Sequence, residues 1–200
     1  VDILPRTFFD RPATTVAREL LGANLVRVAG DRRIIGRITE AEAYQGEEDL
    51  GCHAHAGRTR RNEVMYGPPG HAYVYFTYGM HWMLNAVTGA VDSPAAVLIR
   101  AIQPLEGQDW LAANRSNLAF TRHWLDGPAK LTQALAIDGR LNGVDLCDPK
   151  SELHLSPGAV IPAAEVHSSA RIGLYSVPEP WKSIPWRFYY AVNPDDEKSK

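Results

Sequence analysis

The stretch Ile34-Ile-Gly-Arg-Ile-Thr-Glu-Ala-Glu-Ala-Tyr44 decides how this chain is read. It is rich in β-branched and small residues, holds no proline, and reads as a strand. Strand side chains alternate between faces. Ile34, Ile38, Glu40, Glu42 and Tyr44 then share one parity, and Ile35, Ala41 and Ala43 the other. Two carboxylates are thereby set beside Ile34 and Ile38. A carboxylate against apolar surface has its charged form disfavoured unless it finds a partner, which makes it a candidate acid or base. Two glutamates at the exposed end of a surface strand would give the same pattern.

Outward from this strand, residues 25–28 read as its hairpin partner across a turn at Gly30-Asp31. Residues 13–21 form a short amphipathic helix with Val16, Leu20 and Leu21 on one side, stopped by Gly22. A polar loop is expected over 45–61 and one helical turn over 61–66, halted by Gly67-Pro-Pro-Gly70. Strands follow at 72–78, 82–87 and 95–102. Helices are expected at 105–114 and 127–137, the second capped by Asp126 with Pro128 in its first turn. The last 60 residues read as short strands and turns. Strands in succession without regular helical crossovers predict an α+β fold: a single domain, residues 1–193, with a curved, mostly antiparallel β-sheet flanked by helices. Residues 194–200 read as a polar tail.

Composition narrows the function classes. The chain has 200 residues, 45% hydrophobic and 22% charged, enough for one sizeable core. No apolar run approaches the roughly 20 residues that span a bilayer, so no membrane partner is expected. The N-terminal residues lack the basic-then-apolar layout of a signal peptide. Cys52 and Cys147 lie far apart and neither sits in a C-x-x-C pair, which points to reduced thiols and a cytoplasmic setting. The net charge of −2 excludes a globally basic nucleic-acid binder. Residues 51–135, however, hold seven Lys/Arg against five Asp/Glu and five of the seven histidines, which allows a local basic face.

Several segments could carry chemistry. Leu98, Arg100 and Ile102 share a parity, and an arginine within so apolar a strand needs an anion: Glu42, Glu40 or a phosphate. A snorkelling arginine at a strand end is the alternative. The segment His71-Ala-Tyr-Val-Tyr-Phe-Thr-Tyr-Gly-Met-His81 sets Tyr73 and Tyr75 on one face, with Gly79 ending the strand and freeing Tyr78 to project. Aromatics on a sheet suit base stacking, and suit cross-strand packing as well. Arg58-Thr-Arg-Arg61 could grip phosphates or be a solvated loop. His53 and His55 beside Glu42 give only a weak metal pattern, with no third histidine at ligand spacing, and no metal or other cofactor is expected.

These pieces follow one another in a particular order: Arg37-Ile-Thr-Glu-Ala-Glu-Ala-Tyr44, His53, Arg61-Asn62, Met65, Gly67-Pro-Pro-Gly70, Tyr73-Val-Tyr75, Tyr78-Gly-Met80, Asn85, Val97-Leu-Ile-Arg100-Ala, Gly127-Pro-Ala-Lys130-Leu and Arg171-Ile-Gly173. In this the chain resembles the alkyladenine (3-methyladenine, methylpurine) DNA glycosylases from about residue 13 to residue 190. The resemblance implies a monofunctional enzyme of base excision repair acting on double-stranded DNA. It would flip out damaged purines (3-methyladenine, 7-methylguanine, hypoxanthine, ethenoadenine) and hydrolyse their N-glycosidic bond.

The resemblance also implies roles. Glu42 matches the general base that activates water, Arg100 the arginine that helps hold that water, and the Leu174 carbonyl a third water ligand. Tyr44, His53, Tyr75, Asn85 and Leu98 match the base pocket, with Asn85 crowding the exocyclic amine of normal guanine. Tyr78 matches a wedge pushed into the duplex; Met80, His81, Arg61 and Lys130 match positions that meet DNA. His81 stands where some members carry Tyr, and Tyr175-Ser176 where some have a small Gly-containing turn. The expected setting is the bacterial cytoplasm at the nucleoid, or the nucleus of a eukaryote, with the enzyme acting as a monomer. A lesion-binding sensor and a metal hydrolase built on His53, His55 and Glu42 are the competing functions.

Overall fold

The computed structural model describes residues 2–115 and 125–192. Two helices open the chain, α1 (Arg6–Phe9) and α2 (Ala13–Glu19). The strands are β1 (Asn24–Ala29), β2 (Arg32–Gln45), β3 (Ala72–Thr77), β4 (His81–Val87), β5 (Ala95–Glu106), β6 (Leu153–Ser156), β7 (His167–Ser169) and β8 (Arg187–Tyr189). Helices α3 (Gln108–Asn114) and α4 (Pro128–Ala134) lie between β5 and β6. All strand pairings are antiparallel, in the order β3-β4-β5-β2-β1-β6, and the sheet curls into a half-barrel. The expected α+β architecture is the one observed. The proposed polar tail lies outside the described residues.

Long β2 organises the sheet. One edge pairs with β5 from Ile35 to Gln45; the other pairs first with β1 and then, over Glu40–Glu42, with β8. One sheet face carries the main core, where Ala72, Val74, Leu84, Ala86, Val97 and Ile99 meet Phe9, Val16, Leu20 and Leu131. The alternate residues, Tyr73, Tyr75, Val87 and Ala96, build a second, smaller cluster with Cys52, Ala54, Met65 and Tyr66. By the two-residue period this is the opposite face, and it is the one the site occupies.

The structure corrects the parity reading of β2 and β5. Ile38 stands opposite Ile102, Glu40 opposite Ala101 and Ala41 opposite Ile99. Thr39 is therefore extra on β2, and Arg100 extra on β5. A bulge breaks the alternation of its strand and re-aims the side chains beyond it. Ile34 and Ile38 lie in the main core, yet beyond the bulge Ala41 and Ala43 take over that face. Glu42 and Tyr44 consequently look away from Ile34 and Ile38. In β5, Leu98 and Arg100 line the site whereas Ile102 joins the main core. The two opposed bulges put Glu42 and Arg100 on one side.

Element ends also differ from expectation, and α4 stops at Ala134 rather than at residue 137. β5 continues to Glu106, held by pairing with β2 and by the Arg33–Glu106 ion pair at 2.8 Å; α3 starts only after Gly107, whose φ of 85° breaks the strand. Asp126 does not cap α4: its carboxylate accepts from Lys130 Nζ at 2.7 Å, and Gly127 stands at the N-cap without a side-chain bond. The loop over 45–61 contains a 3-10 turn, His53–Ala56.

Candidate active site

Glu42 sits on β2 with none of its surface exposed, and three groups hold it. The Ile172 amide donates to Oε1 at 2.7 Å. Oε2 accepts the Tyr44 hydroxyl at 2.8 Å and Arg100 Nη1 at 3.2 Å. Oε1 thus has one of these donors and Oε2 two. Arg100 also donates through Nε to Glu40 Oε1 at 2.7 Å, and Arg187 Nε meets the same oxygen at 2.7 Å. Burial pushes the Glu40 carboxyl up, but hydrogen bonds from Arg187 and Arg100 outweigh it and hold the group below the usual carboxylate range. The two glutamates therefore differ: Glu40 is bound between guanidiniums from two strands, and Glu42 faces a phenol, an amide and one guanidinium.

Above Glu42 opens a cavity of about 290 Å³. Tyr44, His53, Tyr75, Asn85, Leu98, Arg100 and Leu174 all line it, and so does Tyr78 at its rim. Glu42 is one layer behind this wall, beneath Tyr44, Arg100 and Ile172, which separate it from the cavity. His53 and Tyr75 meet edge to face with ring centroids 4.4 Å apart, and His53 Nδ1 lies 3.0 Å from the Tyr73 hydroxyl. Asn85 Nδ2 donates to the Tyr73 carbonyl at 3.0 Å, its register partner across β3–β4. This fixes the amide plane on the cavity floor.

The electrostatics keep these groups uncharged. His53 is open on its cavity side, yet desolvation by its walls, followed by the electrostatic effect of nearby Arg61 and His55, lowers its pKa to about 4. Its imidazole is neutral at pH 7. Burial first, then the Glu42 carboxylate, raises Tyr44 well above the ordinary phenol range, so it remains a donor. Burial pushes Tyr75 up to about 12.

The His53 loop is tied by buried Asn62, whose Nδ2 donates to the His53 and Gly57 carbonyls, both at 2.9 Å. His55 turns away, its Nδ1 2.9 Å from the Cys52 carbonyl. Among the described residues no group of three or more His, Cys, Asp or Glu could hold a metal ion. No lysine lines the cavity among the described residues.

The β3–β4 hairpin projects beside the cavity. Met80 N donates to Thr77 O at 3.1 Å, and Tyr78 and Gly79 have φ of 52° and 66°. Both central residues are left-handed, the requirement of a type I′ turn. Glycine meets it freely; tyrosine is strained there. Tyr78 is 81% exposed and Met80 67%. His81 is exposed at the start of β4. Arg61 donates to the Phe76 carbonyl at 3.0 Å and lies over the Tyr75 ring, bracing the hairpin base. Met80, His81, Arg61 and Lys130 are not part of the cavity wall, although Pro128 of α4 is.

Sequence reasoning gave no role to Asp49, Arg171, Ile172 or Arg187, which the fold brings against the site. Arg171 stood within a quoted motif and Asp49 in a polar loop; a pairing 122 positions apart leaves no local pattern.

A family model described as Methylpurine-DNA glycosylase (MPG) matches residues 7–194. Three relatives carry the name "Putative 3-methyladenine DNA glycosylase". The protein of Carboxydothermus hydrogenoformans is 47% identical over 191 residues, covering 96% of each chain. That of Methanocella arvoryzae is 45% identical over 193 residues, 96% of this chain and 94% of its own. That of Myxococcus xanthus is 47% identical over 186 residues, 93% and 89% respectively.

Proposed function

Since this chain belongs to the methylpurine-DNA glycosylase family, we propose that its aromatic cavity takes a damaged purine flipped out of duplex DNA and that Glu42 activates the hydrolytic water. The chain is a DNA glycosylase of base excision repair, hydrolysing N-glycosidic bonds. The observation that carries the finer reading is the fully buried Glu42 carboxylate, fixed by Tyr44, Arg100 and the Ile172 amide behind the cavity wall.

Extrusion of a base from the duplex costs a few kcal/mol, less for a damaged or mispaired one. Tyr44, His53 and Tyr75 offer aromatic faces that recover part of that by stacking. A cationic alkylated purine gains further from the ring quadrupoles, and neutral His53 does not repel it. Asn85, held on the floor by Tyr73, discriminates against the exocyclic amine of guanine. Tyr78 fills the vacated stack, and Met80, His81, Arg61 and Lys130 lie against the DNA.

In the hydrolysis, water held by Glu42 Oε1, the Leu174 carbonyl and Arg100 attacks the anomeric carbon. The carbon–nitrogen bond breaks with its electron pair leaving on the purine, and Glu42 receives the water's proton. With an alkylated purine that pair neutralises the ring cation. The oxocarbenium-like transition state gains from the nearby carboxylate. Because Glu42 has no exposed surface in the free protein, the reacting water is one enclosed together with the nucleotide. Among the described residues no lysine lines the cavity to act as a nucleophile, and the product of this reading is an abasic site without strand cleavage, made by a monomer. Incubation with duplexes carrying hypoxanthine, ethenoadenine, 7-methylguanine or 3-methyladenine tests this: abasic sites should form, and Glu42→Gln should bind without excising.

A further inference from the structure

Beneath the site lies a second charge pair that the reaction above does not use. Arg171 and Asp49 are both fully buried in their side chains. Arg171 Nη1 meets Asp49 Oδ2 at 2.5 Å and Nη2 meets Oδ1 at 2.8 Å, a bidentate fork. Arg171 also donates to the Ala43 carbonyl at 3.0 Å and the Trp181 carbonyl at 3.3 Å. Asp49 in turn accepts from the Gly51 amide at 2.9 Å and the Gln45 amide at 3.2 Å. Four chain segments are thus tied at one point.

Two further links lead from Arg171 to Glu42. The guanidinium lies 4.6 Å from the centroid of the Tyr44 ring, whose hydroxyl donates to Glu42 Oε2. The residue after Arg171 supplies the amide that donates to Glu42 Oε1. A displacement of the guanidinium therefore moves both carboxylate oxygens' partners together. Burying an ion pair is a poor way to gain stability, since apolar residues of similar volume do as well or better. A planar fork that fixes a ring and an amide is something apolar residues do not provide. Gly51 has been left without a side chain where a Cβ would stand 2.6 Å from Leu174 Cδ1 and 2.8 Å from Arg171 Nη2.

We propose that Arg171, neutralised by Asp49, is a positioning residue that aligns Glu42 for water activation through the Tyr44 ring and the Ile172 amide. The proposal rests on the reading of Glu42 as the base. It predicts an effect on the bond-breaking step rather than on DNA capture.

The test is single-turnover excision from a hypoxanthine-containing duplex, resolved into the maximal rate at saturating enzyme and the half-saturating enzyme concentration. Folding is checked by thermal melting. Arg171→Lys keeps the charge but has neither fork nor stacking plane. Its maximal rate should fall about 100-fold, the scale of a 1 Å misplacement, with half-saturation changed less than about threefold. Gly51→Ala keeps both charges and pushes on Leu174 Cδ1 and Arg171 Nη2; it should lower the maximal rate about tenfold and serves if Arg171→Lys does not fold. Folded variants with maximal rates within about threefold of the unaltered chain, alongside an inactive Glu42→Gln, would overturn the positioning role. Full activity of Glu42→Gln would overturn the assignment of Glu42 instead.

Discussion

Tyr44 donates its hydroxyl to Glu42 Oε2 at 2.8 Å from two residues further along the same strand. One side chain thereby serves the cavity wall with its ring and the buried carboxylate with its oxygen. Tyr44→Phe separates the two. The ring stays, so lesion binding should change little. A hydrogen bond to a charged group contributes about 1.5–3 kcal/mol, and loss of about 1.4 kcal/mol in the transition state is tenfold in rate. The maximal single-turnover rate should fall about tenfold, with half-saturation unchanged. A large rise in half-saturation with an intact rate would show that the hydroxyl serves binding instead.

His53 makes a pH signature. Its pKa is lowered from 6.5 to about 4 by desolvation, then by the electrostatic effect of nearby Arg61 and His55. Between those values the unfolded chain binds a proton that the folded chain refuses, so stability rises with pH there. It is complete above about pH 6.5 and declines as the pH falls toward 4. Thermal melting from pH 7 to pH 4 should show this loss, and His53→Gln should flatten it. Equal slopes for both proteins would contradict the origin given. Glu40 acts in a lower window, since Arg187 and Arg100 hold its carboxyl below the ordinary 4.5 against the effect of burial; its contribution is present above that value and lost as the pH falls through the folded one.

Tyr78 is strained and exposed, a combination that adds nothing to folding. Tyr78→Gly suits the left-handed backbone of the turn. The melting temperature should hold or rise slightly, since the strain released is at most about 1–3 kcal/mol. Excision from duplex DNA should drop, and excision from a single strand, which needs no wedge, should drop less. A variant that melts lower yet excises normally from duplexes would contradict both halves.

The strands were legible in the sequence because β-branched runs and glycine-proline punctuation are local signals. Their faces were not. Thr39 and Arg100 each add one residue to a strand, and nothing in either side chain announces the bulge; only the facing strand shows it. For that reason simple alternation set Glu42 beside Ile34 and Ile38, from which the bulge separates it. The aromatic wall was legible in part, since Tyr73 and Tyr75 follow unbroken alternation in β3. Asp49 and Arg171 were not, because a buried ion pair between distant segments is a product of tertiary folding. The ordered motifs, rather than any periodicity, distinguished Glu42 from Glu40, and the differing partners of the two carboxylates now supply a physical reason.

The central claim is that Glu42 performs the water activation. Glu42→Gln keeps the shape of the side chain and removes the carboxylate. Its excision of hypoxanthine from a duplex, measured at saturating enzyme beside binding to the same duplex, tests the claim most directly. Binding within a few-fold of the unaltered chain with excision reduced by at least about 100-fold is the predicted result; excision at the unaltered rate would contradict it.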